Sequence, residues 1–316
     1  MSEFKHISVL LHETVGALNV RPDGIYVDGT AGGGGHSYEL ARQLDPQKGR
    51  LYAFDRDPEA IAAAGKRLEG LPATLIHATF DEMKEQLEEL GIKKVDGVML
   101  DLGVSSRQLD EAERGFSYHN DAPLDMRMSG EGLSARDVVN GYSYERLRTI
   151  LFDYGEEKFA PAIAKAIVSA REKKPIETTL ELAELVKASV PQRVRREKNP
   201  CKKTFQAIRI EVNDELGQLD RAMDTAFGLL KVGGRLAVIT FHSLEDRMVK
   251  RRFAEYTKGC TCPPDFPQCV CGRKPRGEQV FRKPVTASDE ELDNNNRSRS
   301  AKLRAIEKLR ENATDE

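Results

Sequence analysis

The sequence has no uninterrupted apolar segment close to the roughly 18 residues that a membrane-spanning helix needs. Its opening residues carry one lysine and a short apolar stretch before His12 and Glu13, which is too short and too polar for a secretory signal peptide. Internal repeats and low-complexity linkers are also missing. These absences argue against membrane-spanning, fibrous and collagen-like proteins, and we expect a cytoplasmic protein with no membrane partner.

The chain also lacks a net charge that would identify a partner. Its 49 Lys and Arg residues nearly balance its 51 Asp and Glu residues, which leaves a formal charge of −2 over 316 residues. The basic residues are nevertheless unevenly placed: six lie between Arg193 and Lys203 against one acidic residue, and ten lie between Arg247 and Lys283 against three. Such runs favour a nucleic-acid partner, because Lys and Arg neutralise phosphates and release counterions, although a solvated surface would show the same pattern.

The length is enough for about two domains. Through the first hundred residues, strand-like and helix-like segments alternate, which is typical of parallel βαβ units. The predicted strands span residues 24–27, 50–54, 73–77 and 94–100, and the predicted helices span residues 37–44, 58–68 and 81–90. This pattern predicts a doubly wound α/β domain.

From about residue 106 the alternation stops, and helical periodicity without a convincing strand follows. The clearest helices are predicted at residues 144–152, 161–172 and 180–189, and Thr178 with Glu181 predicts a capping box at the start of the last one. A helix at 212–230, a turn at Gly233 and Gly234 and a strand at 235–241 resume the α/β pattern. We therefore predict an α/β, Rossmann-like domain made of residues 1–110 and 206–316, interrupted by an inserted helical domain of residues 111–205.

A glycine-rich loop, DGTAGGGGHS at residues 28–37, lies between the first predicted strand and the first predicted helix. Rossmann-like folds bind an adenosine cofactor at this position. The dinucleotide fingerprint GxGxxG fails here, because Ser37 or Tyr38 occupies the place of the small third residue. Asp28 at the strand end, followed by glycines, suits a cofactor that carries a cationic sulfonium and an amino acid. Asp55, at the end of the second predicted strand, is placed to accept hydrogen bonds from both ribose hydroxyls.

Four of the five cysteines lie within twelve residues, at Cys260, Cys262, Cys269 and Cys271. In a reducing compartment such a cluster favours a metal site over disulfides. Four thiolates can surround one tetrahedral zinc as a structural clip on this loop, and the alternatives are free thiols in a loop that contacts nucleic acid or adventitious disulfides. Cys201, which lies alone in the first basic run, is interpreted as an incidental thiol.

Eight strings spread over nearly the whole chain carry a resemblance to a known family. They are HISVLL (6–11), DGTAGGGGHS (28–37), DLGVSSRQLD (101–110), RGFS (114–117), PLDMRM (123–128), YGEE (154–157), FHSLEDR (241–247) and RSRSAKLR (297–304). Together they resemble the bacterial 16S ribosomal RNA cytosine-N4 methyltransferases of the MraW type. The resemblance implies an S-adenosylmethionine-dependent enzyme that methylates the exocyclic amine of a cytidine in the decoding region of 16S ribosomal RNA, within the small ribosomal subunit.

The resemblance also assigns seven residues to the cofactor pocket: Gly34, Gly35, His36, Asp55, Phe80, Asp101 and Gln108. Among them, the two glycines and His36 would contact the methionine end of the cofactor. Asp55 would bind the ribose and Phe80 would lie against the adenine. One departure is that residues 101–104 read DLGV, where most amino methyltransferases that act on cytosine or adenine carry a Pro-Pro-aromatic motif. The groups that hold the base are therefore left open.

Methylation of cytosine N4 needs an acceptor for its N–H groups, because the N4 lone pair is delocalised into the ring and must be aligned with the methyl donor. Asp101, at the end of the fourth predicted strand, is the first catalytic candidate, although it could instead serve the amino group of the cofactor. His242 is the second candidate, and a capping or core histidine is an equal alternative.

Two other functions stay open at this point. One is a non-catalytic RNA-binding assembly factor of the small subunit, which would bind a ligand without turnover. The other is a nicotinamide oxidoreductase, which Ser37 disfavours because it breaks the dinucleotide fingerprint. The sequence does not decide between a monomer and a homodimer.

Overall fold

The structure, a computed structural model, describes residues 8–311 except for 198, 264, 265 and 269. The described residues form two compact units. One unit, called here the sheet unit, contains the chain up to Gly103 and again from Gly217. The other, called the helical unit, comprises Val104–Leu216. Across the described ranges, every helix is too short or too polar to span a bilayer.

All seven described strands lie in the sheet unit: β1 (Ile25–Asp28), β2 (Arg50–Asp55), β3 (Ala73–His77), β4 (Val95–Asp101), β5 (Leu230–Thr240), β6 (Gly277–Gln279) and β7 (Lys302–Lys308). They form one sheet in the order β3-β2-β1-β4-β5-β7-β6. The pairs from β3 to β5 are parallel, whereas β7 runs antiparallel to β5 and β6. The strand order reverses between β1 and β4, and open α/β sheets bind their ligands at such a switch point.

The α-helices of the described residues are α1 (Leu11–Ala17), α2 (Gly35–Ala41), α3 (Pro58–Arg67), α4 (Met83–Glu89), α5 (Ser106–Asp110), α6 (Ala135–Gly141), α7 (Tyr144–Asp153), α8 (Ala160–Arg171), α9 (Thr179–Ala188), α10 (Gln192–Glu197), α11 (Cys201–Asn213), α12 (Glu215–Leu229), α13 (Ser243–Tyr256) and α14 (Asp289–Asn294). Short 3-10 turns lie at Phe80–Glu82, Ala112–Arg114 and Asn296–Ser300. In the helical unit the described residues form helices and turns without a strand. The predicted α/β, Rossmann-like fold with an inserted helical domain is confirmed.

Apolar side chains cover both faces of the sheet, because neighbouring residues of a strand point to opposite sides. Tyr26 of β1 belongs to one core cluster, together with Leu40 of α2. Val27, the next residue, belongs to the other cluster, together with Phe227 of α12 and Phe253 of α13. All five side chains are almost completely buried. The sheet unit is therefore a three-layer α/β arrangement whose strand ends stay available for a site.

The helical unit has a core of its own, and α11 forms part of it. Phe205 and Ile208 of α11 are buried together with Ile150 of α7 and Ile163 of α8. This packing explains why the unit extends to Leu216, and not to residue 205 as the sequence pattern suggested. The predicted capping box is confirmed at α9, where Thr178 and Glu181 cap each other's backbone N–H groups.

Two predicted elements need correction near the point where the chain returns from the helical unit to the sheet unit. The predicted helix at 212–230 is α12, which begins only at Glu215, because Asp214 takes a left-handed conformation with a φ of 48° and ends α11. The turn predicted at Gly233 and Gly234 lies inside β5, where the register against β4 shifts between Val95 and Gly97. Strands β6 and β7 were not predicted at all.

Candidate active site

The glycine-rich loop leads from β1 into α2 at the switch point of the sheet. Gly32 and Gly34 have φ angles of +52° and +75°, and Gly34 is the residue that precedes α2. A Cβ atom at Gly34 would lie 3.2 Å from the Cα atom of Ala64, and one at Gly35 would overlap the Oγ atom of Ser8. Glycine is therefore favoured at 34 by backbone conformation and at 35 by space. The loop forms a backbone cradle at the end of β1.

Asp55, at the end of β2, holds this loop in place. Its Oδ2 atom accepts a hydrogen bond of 2.8 Å from the Gly32 N–H, and its Oδ1 atom accepts one of 2.9 Å from the Asp57 N–H. Burial raises the pKa of the Asp55 carboxyl. Each carboxylate oxygen has a further lone pair. The predicted contact with ribose hydroxyls is thus compatible with this geometry, and it stays a prediction.

Asp28, at the end of β1, is completely buried below the loop. Its two oxygens accept hydrogen bonds from the Ser37 hydroxyl at 2.5 Å and from the Thr30 N–H at 3.0 Å. Burial is the main cause that raises the pKa of Asp28 to about 6, and the hydrogen bonds from Ser37 and Thr30 oppose it. Ser37, the residue that breaks the dinucleotide fingerprint, therefore works as a hydrogen-bond partner within the site.

Asp101 ends β4, the neighbour of β1. Its N–H donates to the Thr30 hydroxyl at 2.6 Å, which ties the two strand ends together. The Oδ1 atom of Asp101 is buried and has no hydrogen-bond partner within the described part of the chain. Burial, followed by the negative charges of Asp28 and Glu245, raises the pKa of Asp101 well above its ordinary value. A partly exposed carboxyl at a strand end that has one buried, unsatisfied oxygen and a raised pKa is typical of a functional group.

His36, in the first turn of α2, lies between Val9 and Asp101. Its Nε2 atom is 3.0 Å from the Val9 carbonyl oxygen, and its Nδ1 atom is 3.5 Å from Oδ2 of Asp101. Because a carbonyl oxygen only accepts, the hydrogen-bond network assigns a proton to Nε2. In the neutral imidazole, Nδ1 then offers a lone pair to Asp101. The contact of His36 with the methionine end of the cofactor stays a prediction.

His242 is the N-cap of α13, the helix that follows β5. Its Nδ1 atom accepts from the Glu245 N–H at 3.4 Å, and the Glu245 carboxylate accepts in return from the N–H groups of His242 and Phe241. The Nε2 atom of His242 lies 3.1 Å from Oε1 of Glu245, but no atom among the described residues meets hydrogen-bond geometry with it. His242 therefore caps α13. Because its Nδ1 atom accepts a hydrogen bond, the neutral imidazole carries its proton on Nε2.

The two remaining predicted cofactor residues lie in different units. Phe80 begins the 3-10 turn after β3 and is partly buried against the core of the sheet unit. Its Cβ atom would be 3.0 Å from a Cβ atom at Gly29, so Phe80 borders the start of the glycine-rich loop. Gln108 lies in α5 of the helical unit, where it is buried and its Oε1 atom accepts from the Ser105 N–H at 3.0 Å. Their roles at the cofactor stay predictions.

The predicted metal ligands lie in the loop between α13 and β6. The sulfur atoms of Cys260, Cys262 and Cys271 all lie within 4.8 Å of one another, and Cys269 is outside the described residues. Cys201 is separate from them, buried in α11, and burial raises the pKa of its thiol to about 11. A thiol with that pKa is a poor nucleophile at neutral pH, which agrees with its interpretation as an incidental thiol.

Thr30, Ser37 and Glu245 are parts of the site to which the sequence reasoning assigned no role in its hydrogen bonding. Thr30 and Ser37 lie inside the glycine-rich loop, where their hydroxyl groups were not distinguished from ordinary loop residues. Glu245 follows His242 by three residues, which is the spacing of a capping box. That spacing could have identified both the helix start and the role of His242.

The strand order, the glycine cradle and the carboxyl groups at the ends of β1, β2 and β4 define the class of the sheet unit. It is a Rossmann-like methyltransferase of the S-adenosylmethionine-dependent class. The model of the MraW methylase family matches residues 3–309, and the chain belongs to that family.

Curated relatives cover almost the whole chain. A protein of Agathobacter rectalis named ribosomal RNA small subunit methyltransferase H 2 is 56% identical over 311 residues, which is 97% of this chain and 99% of the relative. The ribosomal RNA small subunit methyltransferase H of Lachnospira eligens is 54% identical over 97% of this chain and 98% of the relative. The crystal structure of an rRNA methylase from Streptococcus thermophilus aligns with a TM-score of 0.43 and 14% identity, over 96% of this chain and 99% of that one. The fold assignment rests on the strand order and not on this weak structural likeness.

Proposed function

We propose that the chain is an S-adenosylmethionine-dependent methyltransferase that methylates N4 of a cytidine in the decoding region of 16S ribosomal RNA. Membership in the MraW methylase family supports methyl transfer, and the names of the curated relatives support ribosomal RNA of the small subunit as the substrate. The observation that carries the proposal is the Asp101 carboxyl, which ends β4 next to the glycine cradle with an unsatisfied buried oxygen. Asp101 is thus available as an acceptor for an amine N–H.

The residues present fit S-adenosylmethionine. A Cβ atom at Gly34 would crowd Ala64 and one at Gly35 would overlap Ser8, so the loop presents backbone and no side chain at these two positions. Three carboxyl groups, from Asp28, Asp55 and Asp101, lie at neighbouring strand ends, and all three have raised pKa values. A sulfonium and an ammonium group would relieve this accumulation of negative charge, whereas a pyrophosphate would add to it. In this proposal, Asp55 binds the ribose and Phe80 borders the adenine, and the family resemblance adds Gln108 of the helical unit as a further cofactor residue.

When bound, the cofactor supplies an electrophilic methyl group; the C–N bond forms as the C–S bond breaks, and N4 then loses one proton. The chain has to position N4 in line with that methyl group and to accept the N–H proton, since the N4 lone pair is delocalised into the ring. Asp101 accepts a hydrogen bond from the amine, which directs the single lone pair of N4 towards the methyl group. The proton released after transfer goes to Asp101, whose raised pKa suits it to that role.

His242 takes a complementary role in this proposal. Its Nδ1 atom is occupied by the cap of α13, so Nε2 is a donor and not an acceptor. A donor suits the ring nitrogen N3 or the carbonyl oxygen of cytosine, which only accept hydrogen bonds. Asp101 would then accept from the amine of the base, and His242 would donate to an acceptor on the same edge of that base. Methylation at carbon 5 would instead require a cysteine nucleophile, and the described cysteines lie in α11 and in the loop before β6.

The nucleic-acid partner in this proposal is 16S ribosomal RNA within the small subunit, which also implies a cytoplasmic location. Arg193, Arg195 and Arg196 of α10 are exposed on the helical unit, as expected for phosphate contacts. The helical unit would therefore contribute to substrate recognition. The target base would have to be single-stranded or flipped out of its stack to reach the strand ends.

The test is transfer of labelled methyl groups from S-adenosylmethionine to small ribosomal subunits, or to free 16S ribosomal RNA, from a strain that lacks the gene. Nucleosides of the digested RNA are then separated and identified. N4-methylcytidine with the wild type, and a strong loss with Asp101→Asn, would support the proposal. Label at carbon 5 or on another base would contradict the substrate chemistry. Tight cofactor binding without any label would favour a non-catalytic assembly factor.

A further inference from the structure

We propose that the loop between α13 and β6 binds one zinc ion through the thiolates of Cys260, Cys262 and Cys271. The loop contains none of the residues of the candidate active site, so this inference is independent of the proposed function. The three sulfur atoms come from positions up to eleven residues apart in sequence, yet all lie within 4.8 Å of one another. Cys260 and Cys271 are exposed and Cys262 is only half-buried, so core packing does not explain why the three thiols lie together.

The spacing of the sulfur atoms matches a shared metal ion and not a disulfide. The Sγ atoms of Cys260 and Cys271 are 3.6 Å apart. A disulfide would require about 2.05 Å. Two thiolates that each lie about 2.3 Å from a tetrahedral zinc are separated by about 3.8 Å. The observed distance is therefore close to the edge of a zinc–thiolate tetrahedron.

Backbone N–H groups are directed at the same sulfur atoms. The Cys262 N–H donates to Sγ of Cys260 at 3.4 Å, and the Thr261 N–H donates to Sγ of Cys271 at 3.5 Å. Such donors stabilise the thiolate form, and metal ligands characteristically receive support of this kind. Zinc follows from the donor set, because several soft thiolates select zinc over the hard cations that prefer oxygen ligands.

The rest of the loop shows why a metal would be useful. At its base, the Arg276 N–H donates to the Tyr256 carbonyl at 2.8 Å, and the Arg276 guanidinium lies 5.2 Å from the centre of the Tyr256 ring. Beyond this fixed base, the side chains of Phe266 and Val270 are 50% and 74% exposed. A loop that buries so little apolar surface needs another source of order, and a structural zinc supplies it.

The proposal rests on the three described thiols, since Cys269 lies outside the described residues. A tetrahedral zinc then has one further position for a fourth ligand. The ion would order the loop and would take no part in methyl transfer.

The first test measures the metal content of the untagged full chain, purified without chelators and passed through a desalting column. We expect about one zinc per chain for the wild type and for Cys201→Ala, and less than about one tenth of that for Cys260→Ser and Cys271→Ser. Cys201→Ala is the matched control, because it removes a thiol outside the cluster. Circular dichroism and cofactor binding of the serine variants should match the wild type, which separates loss of the site from loss of folding.

Two further readouts are independent of zinc content. Replacement by Co²⁺ should produce thiolate-to-metal charge-transfer absorption in the wild type and not in Cys260→Ser. Trypsin should cut at Lys258 or Arg273 at least about tenfold faster after chelation of the metal, because an exposed loop that no metal holds together is a preferred cleavage site. A wild-type chain without zinc that also gives no cobalt absorption would overturn the proposal. A Cys260–Cys271 disulfide in freshly isolated protein would overturn it equally.

Discussion

The Nδ1 atom of His36 and the Oδ2 atom of Asp101 face each other at 3.5 Å. Because Nε2 of His36 donates to the Val9 carbonyl, the lone pair on Nδ1 points towards a carboxyl group whose pKa is raised well above its ordinary value. Asp101 is therefore set to change its protonation state when a cation or an amine enters the site, and this determines the first prediction.

Methyl transfer should depend on the ionisation of Asp101. A carboxyl accepts an N–H only when it is ionised, and the folded-state pKa of Asp101 is raised. The rate of a single turnover should therefore increase by about tenfold per pH unit up to that pKa and then level off. Asp101→Asn should lower the rate by at least about 100-fold and remove the slope.

Calorimetry with S-adenosylmethionine provides the control for this prediction. If Asp101 acts on the amine, Asp101→Asn should leave cofactor affinity within about tenfold of the wild type. A large loss of affinity with an unchanged turnover rate would instead assign Asp101 to the amino group of the cofactor.

His242 allows its capping and catalytic roles to be separated. His242→Ala should reduce the free energy of unfolding by about 1 kcal/mol, since α13 loses its N-cap. His242→Asn should restore most of that stability, because Asn is a strong N-cap residue. Both variants should nevertheless have reduced turnover, since neither provides the donor at Nε2. Full activity of His242→Asn would restrict His242 to capping.

Asp28 should make the cofactor-free protein less stable as the pH rises. Its pKa is raised from 3.8 to about 6, so the folded state favours the protonated carboxyl. That stabilisation is fully present below pH 3.8 and is lost as the pH rises through about 6. Relative to Asp28→Asn, the wild type should lose about 2–3 kcal/mol of unfolding free energy across this interval. Urea denaturation at a series of pH values measures the difference.

Ser37→Ala offers a directional check on the same group. The Ser37 hydroxyl donates to the Asp28 carboxylate and lowers its pKa, so removing it should shift the loss of stability to higher pH. A shift to lower pH, or a wild-type curve parallel to that of Asp28→Asn, would contradict the assignment of this titration to Asp28.

A side chain at Gly34 should destabilise the protein, whereas one at Gly33 should not. Gly34→Ala would place a Cβ atom at a φ of +75° and 3.2 Å from the Ala64 backbone, with an expected cost of about 1–2 kcal/mol of unfolding free energy. A Cβ atom at Gly33 would meet no atom within 4 Å, so Gly33→Ala should change stability by less than about 0.5 kcal/mol. Thermal denaturation of the two variants compares them directly, and equal losses would contradict the role of backbone conformation.

The first four strands were predictable because their signals are local. Apolar runs bounded by turn residues identified β1 to β4 to within a residue or two at each end, and β3 was predicted with its observed limits. The carboxyl ends of these strands follow directly from such bounds. Asp28, Asp55 and Asp101 could therefore be placed near one another from the sequence alone.

The second half of the sheet was missed because its signals are long-range. In β7, Leu303 and Ala305 are buried, but they alternate with the charged residues Lys302 and Arg304, which resemble a solvated tail. Arg304 is compensated only in the fold, where Asp246 of α13 accepts from it at 2.7 Å. The end of α11 at Asp214 could not be predicted either, since the sequence does not indicate when a residue other than glycine takes a left-handed conformation.

The position of β7 has a consequence for how the protein is made. This strand comes from residues 302–308, yet it lies inside the sheet, between β5 and β6. During synthesis, the edge of β5 stays unpaired until Lys308 has left the ribosome, and an open edge is prone to pair with other chains. The helical unit is continuous in sequence, from Val104 to Leu216, and depends on no later segment for its own core. During translation, all residues of the helical unit are therefore available before β7 is made. The sheet unit can be completed only after β7 has been synthesised.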